Sequence, residues 1–160
     1  MPDRTVTNIL FICMGNICRS PLAEGVFLDR IGKLGVAQQF GVDSAGTGGW
    51  HAGSPPDPRS EEVARRNGVP LVSRARQVVR DDFESFDLLI VMDNDNAREL
   101  EAMGCPREKI RLLLSFGGDG PHEEVPDPYY GGADGFQLMY ELIDGAVDHL
   151  LRHLTHGDPA

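Results

Sequence analysis

An apolar run, Ile9-Leu10-Phe11-Ile12, passes without a break into Cys13-Met14-Gly15-Asn16-Ile17-Cys18-Arg19-Ser20, and Pro21-Leu22-Ala23-Glu24 follows. Short, apolar and bounded, residues 7–12 predict a buried strand. Residues 21–34 predict a helix that stops near Gly35. Pro21 suits the first helical position, where a missing N–H costs nothing. Glu24 falls one residue too late for a capping box with Ser20. A strand, a tight loop and a helix N-terminus in this order place the loop beyond the carboxyl end of a strand, where open α/β sheets bind their ligands.

The same alternation continues along the chain. Residues 39–44 predict a second strand, 88–92 a third and 110–114 a fourth. Helices are expected over 59–67, with Gly68 as the stop, over 94–103, and from about 133 to 154. Phe136, Met139, Tyr140, Ile143, Val147, Leu150, Leu151 and Leu154 fall on one face of that last helix. Residues 80–84 read as a solvated short helix or turn. Residues 46–58 form a loop rich in Gly and Pro, and 116–132 a long irregular loop of the kind that often carries function. Strands alternating with helices imply an α/β fold. Its expected form is a three-layer, four-stranded parallel sheet flanked by helices, with the 13–20 loop after the first strand. A length of 160 residues fits a single domain, 1–160.

The first loop reads as an anion site. Backbone N–H groups of Met14, Gly15, Asn16, Ile17 and Cys18 converge at a helix N-terminus, and Arg19 adds a planar fork suited to phosphate oxygens. Gly15 permits the dihedrals of a loop wrapped around an anion. Asn16 tolerates left-handed backbone and ties the loop together. A free thiol at neutral pH is mostly protonated. Here the helix dipole, the loop amides, Arg19 and the Ser20 hydroxyl all favour a thiolate at Cys13. A nucleophilic cysteine and a phosphate cradle in one loop suggest covalent phosphoryl chemistry. Ser44 and Asp93 close the second and third strands, so both converge on the same end of the sheet. Each has a plainer reading as a turn former or cap. Trp50, set among Gly48, Gly49 and Gly53, reads either as one wall of a slot for a flat ring or as a surface anchor.

At these residues the chain resembles the low-molecular-weight protein tyrosine phosphatases. Besides the Cys-x5-Arg-Ser loop, the resemblance includes Ser44-Ala45-Gly46-Thr47, Ala75-Arg76-Gln77, Val91-Met92-Asp93 and Asp127-Pro128-Tyr129-Tyr130. It implies a phosphotyrosine phosphatase with Cys13 as nucleophile, Arg19 as phosphate binder and Asp127 as general acid and base. It also implies that Trp50, Tyr129 and Tyr130 rim the pocket and that Cys18 pairs reversibly with an oxidised Cys13. From the residues alone, Cys18 reads equally as a small apolar filler. Ser73 stands where many members carry a histidine bonded to the loop asparagine. The substrate implied is a phosphotyrosine-containing protein, with a tyrosine kinase among the candidates and inorganic phosphate as product.

Phenols have a pKa of about 10 and leave poorly, so a general acid helps. In or beside the long loop the choices are Asp119, Asp127 and Asp134. Asp119 lies between glycines and Asp134 suits the first turn of the last helix. Asp127, between Pro126 and Pro128, has the most restricted backbone.

A net charge of -10 argues against nucleic acid as a partner. No apolar run approaches the ~20 residues of a membrane span, and the first four residues lack a signal-peptide pattern. Three cysteines are too few for a disulfide scaffold, which points to the cytoplasm. No cofactor and no metal are expected. His149, His153 and His156 share a helical face, and that face is expected to point away from the apolar stripe. Two other functions compete. A thiol-dependent arsenate reductase would need relay cysteines beyond Cys105, and a silent phosphotyrosine-binding module would need loss of the thiol or the acid. A nucleotide-binding P-loop would end in Gly-Lys-Ser/Thr, which is absent.

Overall fold

The computed structural model describes residues 6–117, 123–128 and 133–156. The elements are β1 (Thr7–Cys13), α1 (Arg19–Leu34), β2 (Phe40–Gly46), α2 (Pro58–Arg66), α3 (Asp82–Ser85), β3 (Leu88–Val91), α4 (Asn94–Ala102), β4 (Ile110–Leu112) and α5 (Ala133–His156). Their strands form one parallel sheet in the order β2-β1-β3-β4. Strand β1 is therefore central. Its last residue, Cys13, lies opposite Gly46 of β2, and Ile12 lies opposite Val91 of β3.

Successive strand residues point to opposite faces, so the unbroken apolar run of β1 is really two stripes. Ile9, Phe11 and Cys13 join Leu22, Val26 and Phe27 of α1, Val63 of α2 and the apolar face of α5. Leu10 and Ile12 join Phe83 of α3 and Leu100 of α4 on the other side. The result is the expected three layers. Of the predicted α5 stripe, Phe136 through Leu151 is buried, and Leu154 packs partly against it. Gly35 ends α1 in left-handed backbone with φ 74°, a conformation that glycine adopts without a Cβ clash. No described helix is long and apolar enough to cross a membrane.

Several expectations are corrected. Helix α1 starts at Arg19, so Pro21 takes its third position. That position still lies in the first turn, where backbone N–H groups have no intrahelical acceptor. Strand β2 runs on to Gly46, because Gly46 N–H donates to the Arg76 carbonyl (2.8 Å) and Gly46 bridges Gln77. Strand β4 ends at Leu112, and Leu113–Phe116 tightens into a 3-10 turn. That turn also meets two of the three histidines whose face was expected to point away from the apolar stripe. The His153 ring packs on Phe116 with centroids 5.3 Å apart, and His149 lies close against Gly117.

Gly46 is where the sheet meets the loop most tightly. A Cβ there would sit 2.7 Å from the Met14 carbonyl oxygen and 3.1 Å from the Asn16 nitrogen, both backbone atoms. Gly46→Ala is expected to destabilise by about 1–3 kcal/mol in denaturant unfolding. Gly145→Ala in α5 meets nothing within 4 Å. In the same measurement it is expected to stabilise by about 0.5–1 kcal/mol, as Ala replacing Gly in an unobstructed helix does.

Candidate active site

Cys13 ends β1 almost fully buried. Its sulfur lies 3.0 Å from Ser20 Oγ and accepts the Asn16 backbone N–H at 3.3 Å. The loop is fastened to the segment after β2 and to the start of α2. Thr47 N–H donates to the Cys13 carbonyl (3.0 Å), Gly48 N–H to the Met14 carbonyl (2.9 Å) and Asp57 N–H to the Ile17 carbonyl (2.8 Å). The left-handed residue of the loop is Asn16, at φ 57°, and not Gly15. At Gly15 the constraint is space: a Cβ there would press on the edge of the His51 ring at 3.0 Å.

Arg19 opens α1 and is only 2% exposed. Its Nη1 donates to Asp93 Oδ2 at 2.6 Å and to the Val125 carbonyl at 3.0 Å, and its Nη2 lies 3.6 Å from Asp127 Oδ2. Burial works against its charge, but Cys13, Asp93 and Asp127 outweigh that and raise its pKa. Asp93 fills both readings made of it. It caps α4 in a reciprocal box, accepting Asn96 N–H at 2.8 Å while its own N–H donates to Asn96 Oδ1 at 3.2 Å. Its second oxygen holds the arginine.

Behind the loop lies a buried polar layer. Asn16 Nδ2 donates to Ser20 Oγ (2.8 Å) and to Ser44 Oγ (3.0 Å), and Ser44 Oγ donates to Glu24 Oε1 (2.6 Å). Asn16 Oδ1 accepts the Arg76 backbone N–H at 3.0 Å, so the loop asparagine is tied down from the Ala75-Arg76-Gln77 stretch. Burial pushes the Glu24 carboxyl up, the Ser44 hydrogen bond pulls it down, Asp43 raises it and Arg76 lowers it, with a net rise.

In front of the loop is a cavity of about 320 Å³. Cys13, Met14, Gly15, Ile17, Cys18 and Arg19 form its floor, and Trp50, His51 and Asp127 form its walls. Trp50 is 71% exposed, which suits a rim residue and not an anchor. The structure thus gathers Cys13, Arg19, Asp127, Trp50 and the loop at one place, sets Asn16, Ser20 and Ser44 behind it, and uses Asp93 as a clamp. Tyr129, Tyr130 and Asp119 lie outside the described residues. Three participants carry no signal of their own in the sequence. His51 lies in a glycine-rich loop, and Glu24 sits one residue too late for a capping box. Val125 N–H donates to the Met92 carbonyl (2.9 Å), which docks the Asp127 segment against the end of β3.

The thiols of the other two cysteines, Cys18 and Cys105, are shifted away from ionisation. Burial, then the charges of Asp57 and Cys13, push the Cys18 thiol up to about 12. Burial raises Cys105 as well. Both are therefore expected to stay unmodified when the folded protein meets iodoacetate at about pH 7, because the thiolate is the reactive form. Peptide mapping by mass spectrometry checks this, and both should react once the protein is unfolded.

Residues 8–158 match the family model described as low molecular weight phosphotyrosine protein phosphatase. A curated relative of that description from Schizosaccharomyces pombe is 43% identical over 146 residues, covering 89% of this chain and 94% of its own length. A crystal structure of an Entamoeba histolytica protein tyrosine phosphatase with Hepes in its active site superposes with a TM-score of 0.90 at 39% identity, covering 94% of this chain and 98% of that one. The crystal structure of a Drosophila arginine phosphatase superposes with a TM-score of 0.87 at 35% identity, covering 94% and 99%. This chain belongs to the low molecular weight protein tyrosine phosphatase family, a family of hydrolases.

Proposed function

We propose that this chain, acting as one catalytic unit, removes phosphate from phosphotyrosine in proteins through a cysteinyl-phosphate intermediate. The observation that carries this is the meeting of Cys13, Arg19 and Asp127 at one cavity floored by the loop after β1. In the first step the Cys13 thiolate attacks phosphorus and the bond from phosphorus to the tyrosyl oxygen breaks. Asp127 gives its proton to the departing oxygen. Arg19 and the N–H groups of residues 14–18 hold the equatorial oxygens. In the second step water attacks phosphorus and loses a proton to Asp127. The sulfur leaves as thiolate with Ser20 Oγ donating to it, and inorganic phosphate is released. The loop and Arg19 supply the positive field, so no metal takes part.

Trp50 and Ile17 suit a flat aromatic ring set deep enough for its phosphate to reach Cys13, which favours phosphotyrosine over the shorter phosphoserine. A relay-type arsenate reductase is disfavoured by position. Cys105 is buried in the core on the opposite face of the sheet from Cys13. A nucleophile that must stay reduced fits the cytoplasm.

Cys13→Ser is expected to abolish release of p-nitrophenol from p-nitrophenyl phosphate while phosphate-analogue binding survives. Asp127→Asn is expected to slow phenyl phosphate by about 10²–10⁴-fold and the activated nitrophenyl ester much less. Equal losses on both esters would remove Asp127 as the acid. EDTA is expected to leave turnover unchanged. A phosphoarginine peptide turned over as fast as its phosphotyrosine counterpart would overturn the aromatic preference.

A further inference from the structure

The polar layer behind the loop has a direction, and that direction follows from which atoms are able to donate. The Arg76 backbone N–H only donates, so the Asn16 atom 3.0 Å from it is the amide oxygen, and the amide nitrogen faces the two serines. At the other end the Glu24 carboxylate only accepts. It takes the single Ser44 proton at 2.6 Å, which leaves Ser44 Oγ to meet Asn16 Nδ2 with a lone pair at 3.0 Å. The second N–H of that amide goes to Ser20 Oγ at 2.8 Å. Ser20 has now accepted from Asn16 and keeps its own proton for the Cys13 sulfur 3.0 Å away.

We propose that Glu24 is a positioning residue for the nucleophile: by holding the Ser44 proton it fixes from one end, as the Arg76 N–H does from the other, the orientation of a buried chain that ends with the Ser20 hydroxyl donating to the Cys13 thiolate. Glu24 is four residues beyond Ser20 on α1 and lines no part of the catalytic cavity. It is 7% exposed, and Ser44, Asn16 and Ser20 are buried more deeply still, so water has little access to reset the hydrogen bonds. Asp43 and Arg76 are the charged neighbours that bear on it. Arg76 favours the anion, while its guanidinium is also engaged by Asp43 and Asp82. A buried donor without an acceptor is costly. Loss of Glu24 would therefore turn the Ser44 proton toward Asn16 and set it against the amide that orients Ser20.

This rests on Cys13 being the nucleophile. The test is the rate of inactivation by iodoacetate against pH for the parent, Glu24→Ala, Glu24→Gln and Ser44→Ala, with the modified residue mapped. Glu24→Ala is expected to react about tenfold more slowly near pH 6, the scale of one lost buried hydrogen bond. Its profile should move to the alkaline side, and kcat should fall more than KM changes. Glu24→Gln, which keeps an acceptor oxygen, should restore most of the reactivity. Ser44→Ala should reproduce the displacement, and it carries the test should Glu24→Ala not fold. A Glu24→Ala or Ser44→Ala protein that is less stable but has an unmoved profile overturns the proposal. If the modified residue is Cys13 and the profile stays put, only the positioning role fails. If inactivation maps elsewhere, the nucleophile assignment fails and the positioning role falls with it.

Discussion

A guanidinium removed from water has to be matched, and Arg19 is matched from two directions at once. Its hydrogen bonds reach Asp93 at the end of β3 and the Val125 carbonyl in the segment that carries Asp127. Leaving a buried charge unpaired costs several kcal/mol, so these contacts hold one arrangement of three separate pieces of chain. The loop after β1, the cap of α4 and residues 123–128 are brought to one point by a single side chain. A further contact reinforces the assembly, because Asn94 N–H donates to Glu124 at 2.6 Å. The same ionic clamp leaves Nη2 of Arg19 facing Asp127 and the cavity.

Much of this arrangement was legible in the residues. The apolar run of β1, the cysteine at its tip and the helix beyond it specify a loop at the carboxyl edge of a parallel sheet. Asp93 before Asn94 reads as a cap because both residues favour helix starts. What stayed hidden depends on contacts distant in sequence. Gly46 looks like any glycine until the loop backbone is seen less than 3 Å from where its Cβ would be. Glu24 looks like a solvated helical carboxylate until α1 is laid on the sheet, which buries it beside Ser44. A helical wheel sets the histidines near the end of α5 away from the apolar stripe. The wheel cannot know that the 3-10 turn after β4 packs alongside them. Local pattern reveals which way a side chain faces on its own element and says nothing of what arrives from another.

The two cysteines of the loop illustrate how a few ångströms of backbone separate chemistries. Cys13 meets an amide and a hydroxyl. Cys18 stands at the start of α1 without a side-chain capping bond, and burial first and the charge of Asp57 second discourage an anion there. One loop thus contains a sulfur met by a hydroxyl and an amide and another, beside Ser60, held mostly among carbon and acidity.

The chain has a single tryptophan, and it stands largely in solvent at the mouth of the hollow in front of Cys13. Indole emission is sensitive to its surroundings, and all of it here originates from the rim. That ring shares its cavity with Cys13, so a flat group settling there would meet it, and the protein carries its own optical probe of occupancy. Titrations with unlabelled phosphate esters could be followed by emission alone, even in a variant whose chemistry has been silenced.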